Sequence, residues 1–297
     1  MLKKILVPLD GSNLAECALD TACRLAEGAG GELFLLRVTQ ADPAPLDFGQ
    51  MPLSSPEDWQ SATVAYLEAL AQRLAHPGLV LDVLAAEGDP ASLIVETAVT
   101  AGVDLIVMST HGYSGLTRWL MGSVTEKVLQ QAPCPVLVMR SAELPHKILI
   151  PLDGSRLAES ALQPGLELAQ LLPSPIHLLS VAYEPSLELL GFDPTEPLLQ
   201  RADRAWNETA FQRAETYLQD VQAQLQRTVA EVTMAVRYGP PASAILEYAE
   251  QNDIQLILMA THGLTGIRRW VFGSVTHKVL RAASCALCIV SPKPAAR

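Results

Sequence analysis

The sequence predicts an α/β protein of two tandem domains, each with an open parallel sheet that helices cover on both faces. Three observations predict this fold. The chain has 297 residues, which is long enough for two domains of ordinary size. Short motifs of the first half return in the same order in the second half. Within each half, apolar runs of strand length alternate with amphipathic segments of helical period, as in parallel sheets packed between helices.

The internal repeat sets the domain organisation. The segment VPLDGS at residue 7 returns as IPLDGS 143 residues later. The segment MSTHG at residue 108 returns as MATHG, and GSVT at residue 122 returns unchanged, both 151 residues later. The second copy therefore has eight more residues between these motifs, either in the irregular stretch near 182–200 or in the helix after it. We expect domains at 1–141 and 146–293.

Five apolar segments of the first half have the length of a strand. They cover residues 4–8, 32–38, 79–85, 103–108 and 135–139. Their apolar residues follow one another rather than alternating with polar ones, which is expected where both faces of a strand are buried. Each half is therefore predicted to hold an open, five-stranded, Rossmann-like sheet.

Helices are predicted between these strands. They cover residues 13–28, 59–75, a segment beginning at 90, and 123–131 in the first half, and a long polar stretch over 201–226 in the second. Ser12 is the predicted N-cap of the first helix, because its hydroxyl can accept a bond from a first-turn N–H. Asp89 and Pro90 supply an N-cap and a first-turn proline for the third.

The linker between the copies is short. Only residues 141–145 separate the last strand of the first copy from the first strand of the second. So short a linker holds the two domains in contact. Because an exposed last strand in each sheet would invite unwanted pairing, we expect these two strands to pair within the chain as a pseudo-dimer. A further homodimer stays open.

Charge and cysteine content exclude several partners. Against 32 Asp and Glu the chain has 21 Lys and Arg, a net charge of −11, which disfavours nucleic acid and membrane surfaces. The apolar run before Asp10 is too short for a signal peptide and is predicted as a strand. No segment reaches the ~20 apolar residues of a membrane span. Five cysteines, an odd and small number, suit a reducing cytoplasm, where we expect the protein.

The candidate ligand site lies beyond the carboxyl ends of the strands, where open parallel α/β sheets bind ligands. Asp10 follows the first strand, the segment 109–112 follows the fourth, and Gly122 precedes a helix. The unpaired N–H groups of residues 123–125 at that helix N-terminus form an anion site suited to phosphate. Asp10 is placed to accept a hydrogen bond from a base or a ribose.

Plainer interpretations of the same residues stay open. Ser123 and Glu126 have the spacing of a capping box, although His277 breaks that spacing in the second copy. Gly122 is also explained if its loop needs a positive φ. The two cysteines at 285 and 288 have the spacing of a redox pair but lie in an apolar strand, which favours buried thiols. No ligand spacing for a metal is present.

Three motifs together resemble the universal stress proteins, in their tandem two-domain form. They are PLDGS after the first strand, THG with GSVT after the fourth, and CPVL on the fifth. The resemblance covers nearly the whole chain and implies a five-stranded sheet whose domains associate through their last strands. It also implies binding of ATP or another adenine nucleotide, with or without Mg²⁺. The binding members have the motif G-x2-G-x9-G-[ST], whose first glycine is here replaced by Ser109 and by Ala260.

The resemblance assigns nucleotide-binding residues in each copy. Adenosine contacts, with the strand residues next to them, are implied for Pro8, Asp10, Val38, Met108 and Ser109, and for Pro151, Asp153, Val181, Met259 and Ala260. Phosphate contacts are implied for His111, Gly112, Gly122, Ser123, Val124 and Thr125, and for His262, Gly263, Gly273, Ser274, Val275 and Thr276. The histidines are expected to act as loop donors, because neither has a partner acid at a motif spacing.

Three functions follow from this site. The first is a nucleotide-binding stress protein that acts as a sensor or regulator. The second is a member that binds no nucleotide and acts as a structural or interaction module, which Ser109 and Ala260 favour. The third is a slow ATPase, for which Asp10 and Asp153 are the only acids at the site. No catalytic residue is assigned.

We expect the second copy to hold a triphosphate more tightly than the first. The first 145 residues have a net charge of −9 and the remainder −2, and Arg268 and Arg269 stand where the first copy has Thr117 and Arg118. Calorimetry on a Gly122 variant and, separately, on a Gly273 variant measures each remaining site. Tighter binding by the first copy would contradict this expectation.

Overall fold

The computed structural model describes residues 2–39, 56–109, 121–182, 197–229, 231–261 and 272–291. The strands of the first half are β1 (Lys4–Leu9), β2 (Glu32–Thr39), β3 (Val80–Glu87), β4 (Leu105–Ser109) and β5 (Val136–Met139). Those of the second half are β6 (Ile148–Pro151), β7 (Ile176–Ala182), β8 (Val232–Tyr238), β9 (Leu256–Ala260) and β10 (Ala286–Val290). They agree with the predicted strands to within two residues at each end in the first half.

The helices alternate with the strands. Those of the first half are α1 (Asn13–Glu16), α2 (Leu19–Ala29), α3 (Pro56–Leu74), α4 (Pro90–Thr100) and α5 (Ser123–Gln131). Those of the second half are α6 (Arg156–Glu159), α7 (Leu162–Leu171), α8 (Pro197–Leu225), α9 (Pro241–Gln251) and α10 (Ser274–Ala282). Asp89 caps α4 as predicted, since its carboxylate accepts a bond of 3.0 Å from the Ser92 N–H.

The strands form one ten-stranded sheet in the order β3-β2-β1-β4-β5-β10-β9-β6-β7-β8. Neighbours within each half are parallel, whereas β5 and β10 are antiparallel, with Leu287 opposite Val138 and Ile289 opposite Val136. The last strands of the two copies therefore pair, as predicted from the edge liability of an exposed last strand. This pairing leaves β3 and β8 as the outer strands of one continuous sheet.

The predicted single helix from Ser12 to residue 28 is wrong, because the chain makes two helices there. Ser12 caps α1 through a 3.1 Å bond from the Ala15 N–H to its hydroxyl. The N–H groups of Cys17 and Ala18 then bond to carbonyls three residues back, a tight turn that breaks the α-helical ladder. The second copy has the same break, between α6 and α7.

The eight additional residues of the second copy lie between its second and third strands. Leu33 pairs with Leu81, 48 residues on, whereas the equivalent Ile176 pairs with Val232, 56 residues on. Helix α8 is correspondingly long, with 29 residues against 19 in α3. It covers the sheet with buried Leu218. Neither α8 nor any other helix of the described residues has both the length and the apolar character of a membrane span.

Side chains on the two sheet faces form two hydrophobic layers that run through both copies. One layer packs beneath α2, α3, α7 and α8, and the other beneath α4, α5, α9 and α10. Contacts between the copies extend beyond the strands. The guanidinium of Arg140, just after β5, donates a 2.6 Å bond to the carbonyl of Leu280 in α10. The two copies are therefore joined by backbone, core and side-chain contacts.

We expect Gly31→Ala to destabilise the fold by about 1–3 kcal/mol or more, the usual cost of overpacking. A Cβ at Gly31 would lie 2.1 Å from the carbonyl oxygen of Lys3, which the β1–β2 pairing holds in place. Gly28→Ala is the matched control, since its Cβ would lie 3.1 Å from Cδ2 of Leu171, a side-chain atom that can move, and no closer than 3.7 Å to backbone. Helix propensity also favours alanine there by up to ~1 kcal/mol. Urea unfolding measures both, and equal effects would contradict the prediction.

Candidate nucleotide site

The strand order brings the predicted site residues to one edge of the sheet. Strand β1 lies between β2 and β4, so the chain leaves β1 in one direction and returns on its other side. This reversal is the switch point at which open α/β sheets bind ligands. Asp10 follows β1, and Ser109 ends the neighbouring β4. In the second copy β6 lies in the same way between β7 and β9, with Asp153 and Ala260 at the strand ends.

The loop after β1 has a defined hydrogen-bond pattern. Oδ1 of Asp10 accepts bonds from the backbone N–H of Ser12 at 2.9 Å and from its hydroxyl at 2.7 Å. Gly11 between them has φ +89°, a conformation that favours glycine. The second copy has the same turn, in which Oδ1 of Asp153 accepts a 2.9 Å bond from the Ser155 N–H. The PLDGS motif thus sets the direction of each carboxylate through its own backbone.

Gly122 is the N-cap of α5, with φ −63° and ψ 147°, and Ser123 is the first helical residue. The capping-box interpretation is therefore wrong, because it needs Ser123 at the cap position. The positive-φ interpretation is wrong too, since any residue adopts the angles of Gly122. Gly273 caps α10 with equally ordinary angles, φ −57° and ψ 149°. The backbone angles therefore do not require glycine at either position, where Ser or Asp would be the better helix N-cap.

Threonine hydroxyls hold these helix N-termini against the strand ends. Oγ1 of the buried Thr125 donates a 3.1 Å bond to the carbonyl of Ser109, at the end of β4. Thr276 donates in the same way to the carbonyl of Ala260, at 3.4 Å. Each hydroxyl thus ties the helix to the position of the first motif glycine. What Thr125 and Thr276 can offer an anion is then the backbone N–H in the first helical turn.

The other predicted residues lie at the strand ends, at the helix N-termini or outside the described residues. The last residue pair between β1 and β2 is Leu9 with Arg37. Val38 is the next residue of β2, so its backbone on the side facing β1 has no partner in that strand. Met108 and Met259 have side chains buried in the core. At this end of the sheet three residues are half-buried: Pro8, Pro151 and Val181. At the helix N-termini, Ser123 and Ser274 are exposed, and Val124 and Val275 are half-buried. His111, Gly112, His262, Gly263, Arg268 and Arg269 lie outside the described residues.

A tyrosine–glutamate pair beside each loop was missed by the sequence reasoning. The hydroxyl of Tyr66 donates a 3.0 Å bond to Glu16, and that of Tyr217 a 3.1 Å bond to Glu159. Burial, together with the adjacent carboxylate, raises the pKa of both tyrosines well above the ordinary value near 10. The repeat shifts of 143 and 151 relate these residues to one another, so aligning the two copies position by position would have found the pair.

The remaining cysteine and metal interpretations find no support. Burial raises the pKa of Cys285 to about 11 and that of Cys288 to about 12, so both are protonated and unreactive near neutral pH. All five cysteines are free thiols. Among the residues that the structure describes, no three His, Cys, Asp or Glu side chains are grouped as metal ligands would be.

Comparison with known proteins decides the family. The model described as "Universal stress protein family" matches residues 1–140 and again 145–291. The chain belongs to the universal stress protein family. Over its whole length it is similar to Universal stress protein Slr1230 of Synechocystis, 25% identical across 95% of this chain and 98% of that protein. The tandem arrangement that the motifs indicated is therefore confirmed.

Half of the chain also matches single-domain universal stress proteins. Universal stress protein YxiE of Bacillus subtilis is 33% identical over 148 residues, which is 47% of this chain and all of that protein. The crystal structure of a putative universal stress protein from Pseudomonas aeruginosa has a TM-score of 0.70 at 20% identity, covering 98% of this chain and 94% of that one. This similarity confirms the predicted α/β fold.

We expect Gly122→Asp to raise stability slightly and to abolish anion binding by the first copy. The new carboxylate would accept hydrogen bonds from the first-turn N–H groups and would interact favourably with the helix dipole. Together these should raise the free energy of unfolding by about 0.3–1 kcal/mol. Gly273→Asp is the matched change in the second copy. Thermal unfolding measures the stability, and calorimetry measures the number of triphosphate sites per chain.

The number of sites should fall by one with each substitution and reach zero in the double variant. A double variant that still binds triphosphate with unchanged stoichiometry would show that these helix N-termini are not the anion sites.

Proposed function

We propose that this universal stress protein binds ATP or another adenine nucleotide in each half and acts as a stress sensor or regulator through that binding. One observation carries the proposal. Gly122 and Gly273 occupy helix N-caps with angles that any residue adopts, so their lack of a side chain serves access to the helix N-terminus. Because both copies have this glycine, both are proposed as sites.

The phosphates would lie on the N–H groups of residues 123–125 and 274–276, beyond β4 and β9. The nucleoside would extend across the switch point toward Asp10 or Asp153, where a carboxylate can accept hydrogen bonds from ribose hydroxyls. Backbone groups at Val38 and Val181 are within the same strand-end edge. The geometry supports a phosphate and a polar neighbour, and the preference for adenine rests on the resemblance of the motifs to the family.

The two proposed domains, 1–141 and 146–293, share one sheet, so the two nucleotides would bind to a single framework. A regulator of this design changes its surface or its partner when the sites fill. We propose binding rather than catalysis, because Oδ1 of Asp10 is already engaged by Ser12 in orienting the loop. Any Mg²⁺ would arrive with the nucleotide phosphates.

A second candidate is an interaction module that binds no nucleotide. Ser109 and Ala260 favour it, because each places a Cβ where the motif of binding members has a glycine. Against it stands the position of these two residues at strand ends, where their carbonyls hold Thr125 and Thr276. An interaction module without a ligand also gives no reason for glycine at both helix N-caps.

We expect adenine nucleotide to be released when the freshly purified protein is denatured, with up to two molecules per chain. Mass spectrometry of the released small molecules identifies them. Adding ATP at about a hundred times its Kd should stabilise the folded state by about 2.7 kcal/mol for each site. Thermal unfolding with and without ATP measures this shift, and the Gly122→Asp, Gly273→Asp double variant is the control.

Absence of any released nucleotide together with an unchanged melting temperature in saturating ATP would overturn the proposal and favour the interaction module.

A further inference from the structure

The first copy buries an arginine beneath its proposed nucleoside pocket. Arg37 is the last β2 residue paired with β1, opposite Leu9, and only 5% of its surface is exposed. Burying a guanidinium requires that its surroundings replace the water it loses, so arginine is rarely found this far inside a protein. Position 37 lies outside the motifs that indicate the universal stress protein family, so those motifs do not explain a positive charge here.

Arg37 packs directly against the loop that presents Asp10. A Cβ built on Gly11 would lie 3.1 Å from Nη2 and 3.2 Å from Cζ of Arg37, so the guanidinium occupies the space beside the glycine Cα. The same guanidinium lies over the ring of Tyr66, with Cζ 4.8 Å from the ring centroid, a cation–π distance. Tyr66 is in turn held by its bond to Glu16. The loop after β1 therefore packs on Arg37, which in turn packs on Tyr66.

The electrostatics of Tyr66 also place Asp10 in this cluster. Burial, Glu16 and the negative charge of Asp10 raise the pKa of Tyr66, whereas the positive charge of Arg37 lowers it. Arg37 packs against both Gly11 and Tyr66, and Asp10 directly precedes Gly11 in the chain. Arg37 and Tyr66 thus support the Asp10 loop at the carboxyl end of β1.

The second copy is a natural comparison, because it keeps the loop and the tyrosine–glutamate pair but has no arginine at this position. The repeat shift of 143 places Ser180 where the first copy has Arg37, while the Tyr217–Glu159 pair is retained. A Cβ built on Gly154 meets nothing within 4 Å, in contrast to Gly11. Asp153 is also exposed, whereas Asp10 is half-buried. The same loop is thus packed in one copy and open in the other.

We infer that Arg37 is a positioning residue that fixes the Asp10 loop and makes the first site selective for nucleosides, in a way the second site is not. This inference rests on the proposed function. A loop that is already ordered loses less conformational freedom when a ribose binds to it. Because the phosphates bind elsewhere, at the N-terminus of α5, Arg37 strengthens recognition of the nucleoside part of the ligand alone.

The test compares Arg37→Met with unchanged Arg37 in a chain whose second site is removed by Gly273→Asp. Methionine keeps the buried aliphatic volume and removes the guanidinium, so the fold is retained more readily than with a small residue. Calorimetry is done with ATP and with inorganic tripolyphosphate, which has no nucleoside. We expect the affinity for ATP to fall by about three- to tenfold and that for tripolyphosphate to change by less than about twofold.

Two further variants separate packing from charge. Arg73→Met removes a positive charge from the same cluster, but Arg73 is 59% exposed and contacts Glu16 rather than Gly11. It should leave both affinities unchanged. Arg37→Lys keeps the charge and loses the planar group that fits against Gly11 and Tyr66, so it should not restore ATP affinity. In a Gly122→Asp background, Arg37→Met should leave ATP binding by the second site unchanged.

Amide hydrogen exchange without nucleotide tests the loop directly. Arg37→Met should speed exchange of the Ser12 N–H, which is bonded to Asp10, and leave that of Ser155 as it is. Equal loss of ATP and tripolyphosphate affinity, full restoration by lysine, or unchanged exchange at Ser12 would each overturn the inference. If the Gly273→Asp chain binds neither ligand, the proposed function of the first site fails, and exchange at Ser12 still decides whether Arg37 fixes the loop.

Discussion

The site depends on the pairing of β1 with β4, two strands that are about a hundred residues apart in the chain. Ile5 lies opposite Leu105, and the carboxylate of Asp104 accepts the backbone N–H groups of Lys3 and Lys4 at the start of β1. Because the strands are parallel, their carboxyl ends meet at one edge. This brings the Asp10 loop beside the end of β4 and the helix that follows. Without it neither feature would form a site.

The glycine N-caps show how the proposed function and stability oppose one another. A Ser or Asp side chain at position 122 or 273 could accept a hydrogen bond from a first-turn N–H group, which glycine cannot do. The fold holds each helix N-terminus in another way, through the threonine bonds to Ser109 and Ala260. These bonds fix the start of each helix against the end of the neighbouring strand.

The two copies of this universal stress protein share one sheet, and their candidate sites differ in detail. Antiparallel pairing of β5 and β10 joins the copies, and Arg140 adds a bond across to α10. Within this common framework the first copy has a buried Arg37, and the second has eight more residues before β8 and a less negative charge. These differences lie on separate elements of the fold, Arg37 on β2 and the additional residues between β7 and β8.

The sequence by itself determined the repeat and the strands, because repeated motifs and apolar runs can be read locally. It also indicated the pairing of the last strands, since an exposed last strand in each sheet would be an edge liability. It did not determine that Gly122 rather than Ser123 is the N-cap of α5, because the sequence is compatible with either and only the backbone angles distinguish them. Nor did it show Arg37 beneath Gly11 or Tyr66 on Glu16. Those contacts join residues far apart in the chain, and only tertiary packing brings such side chains together.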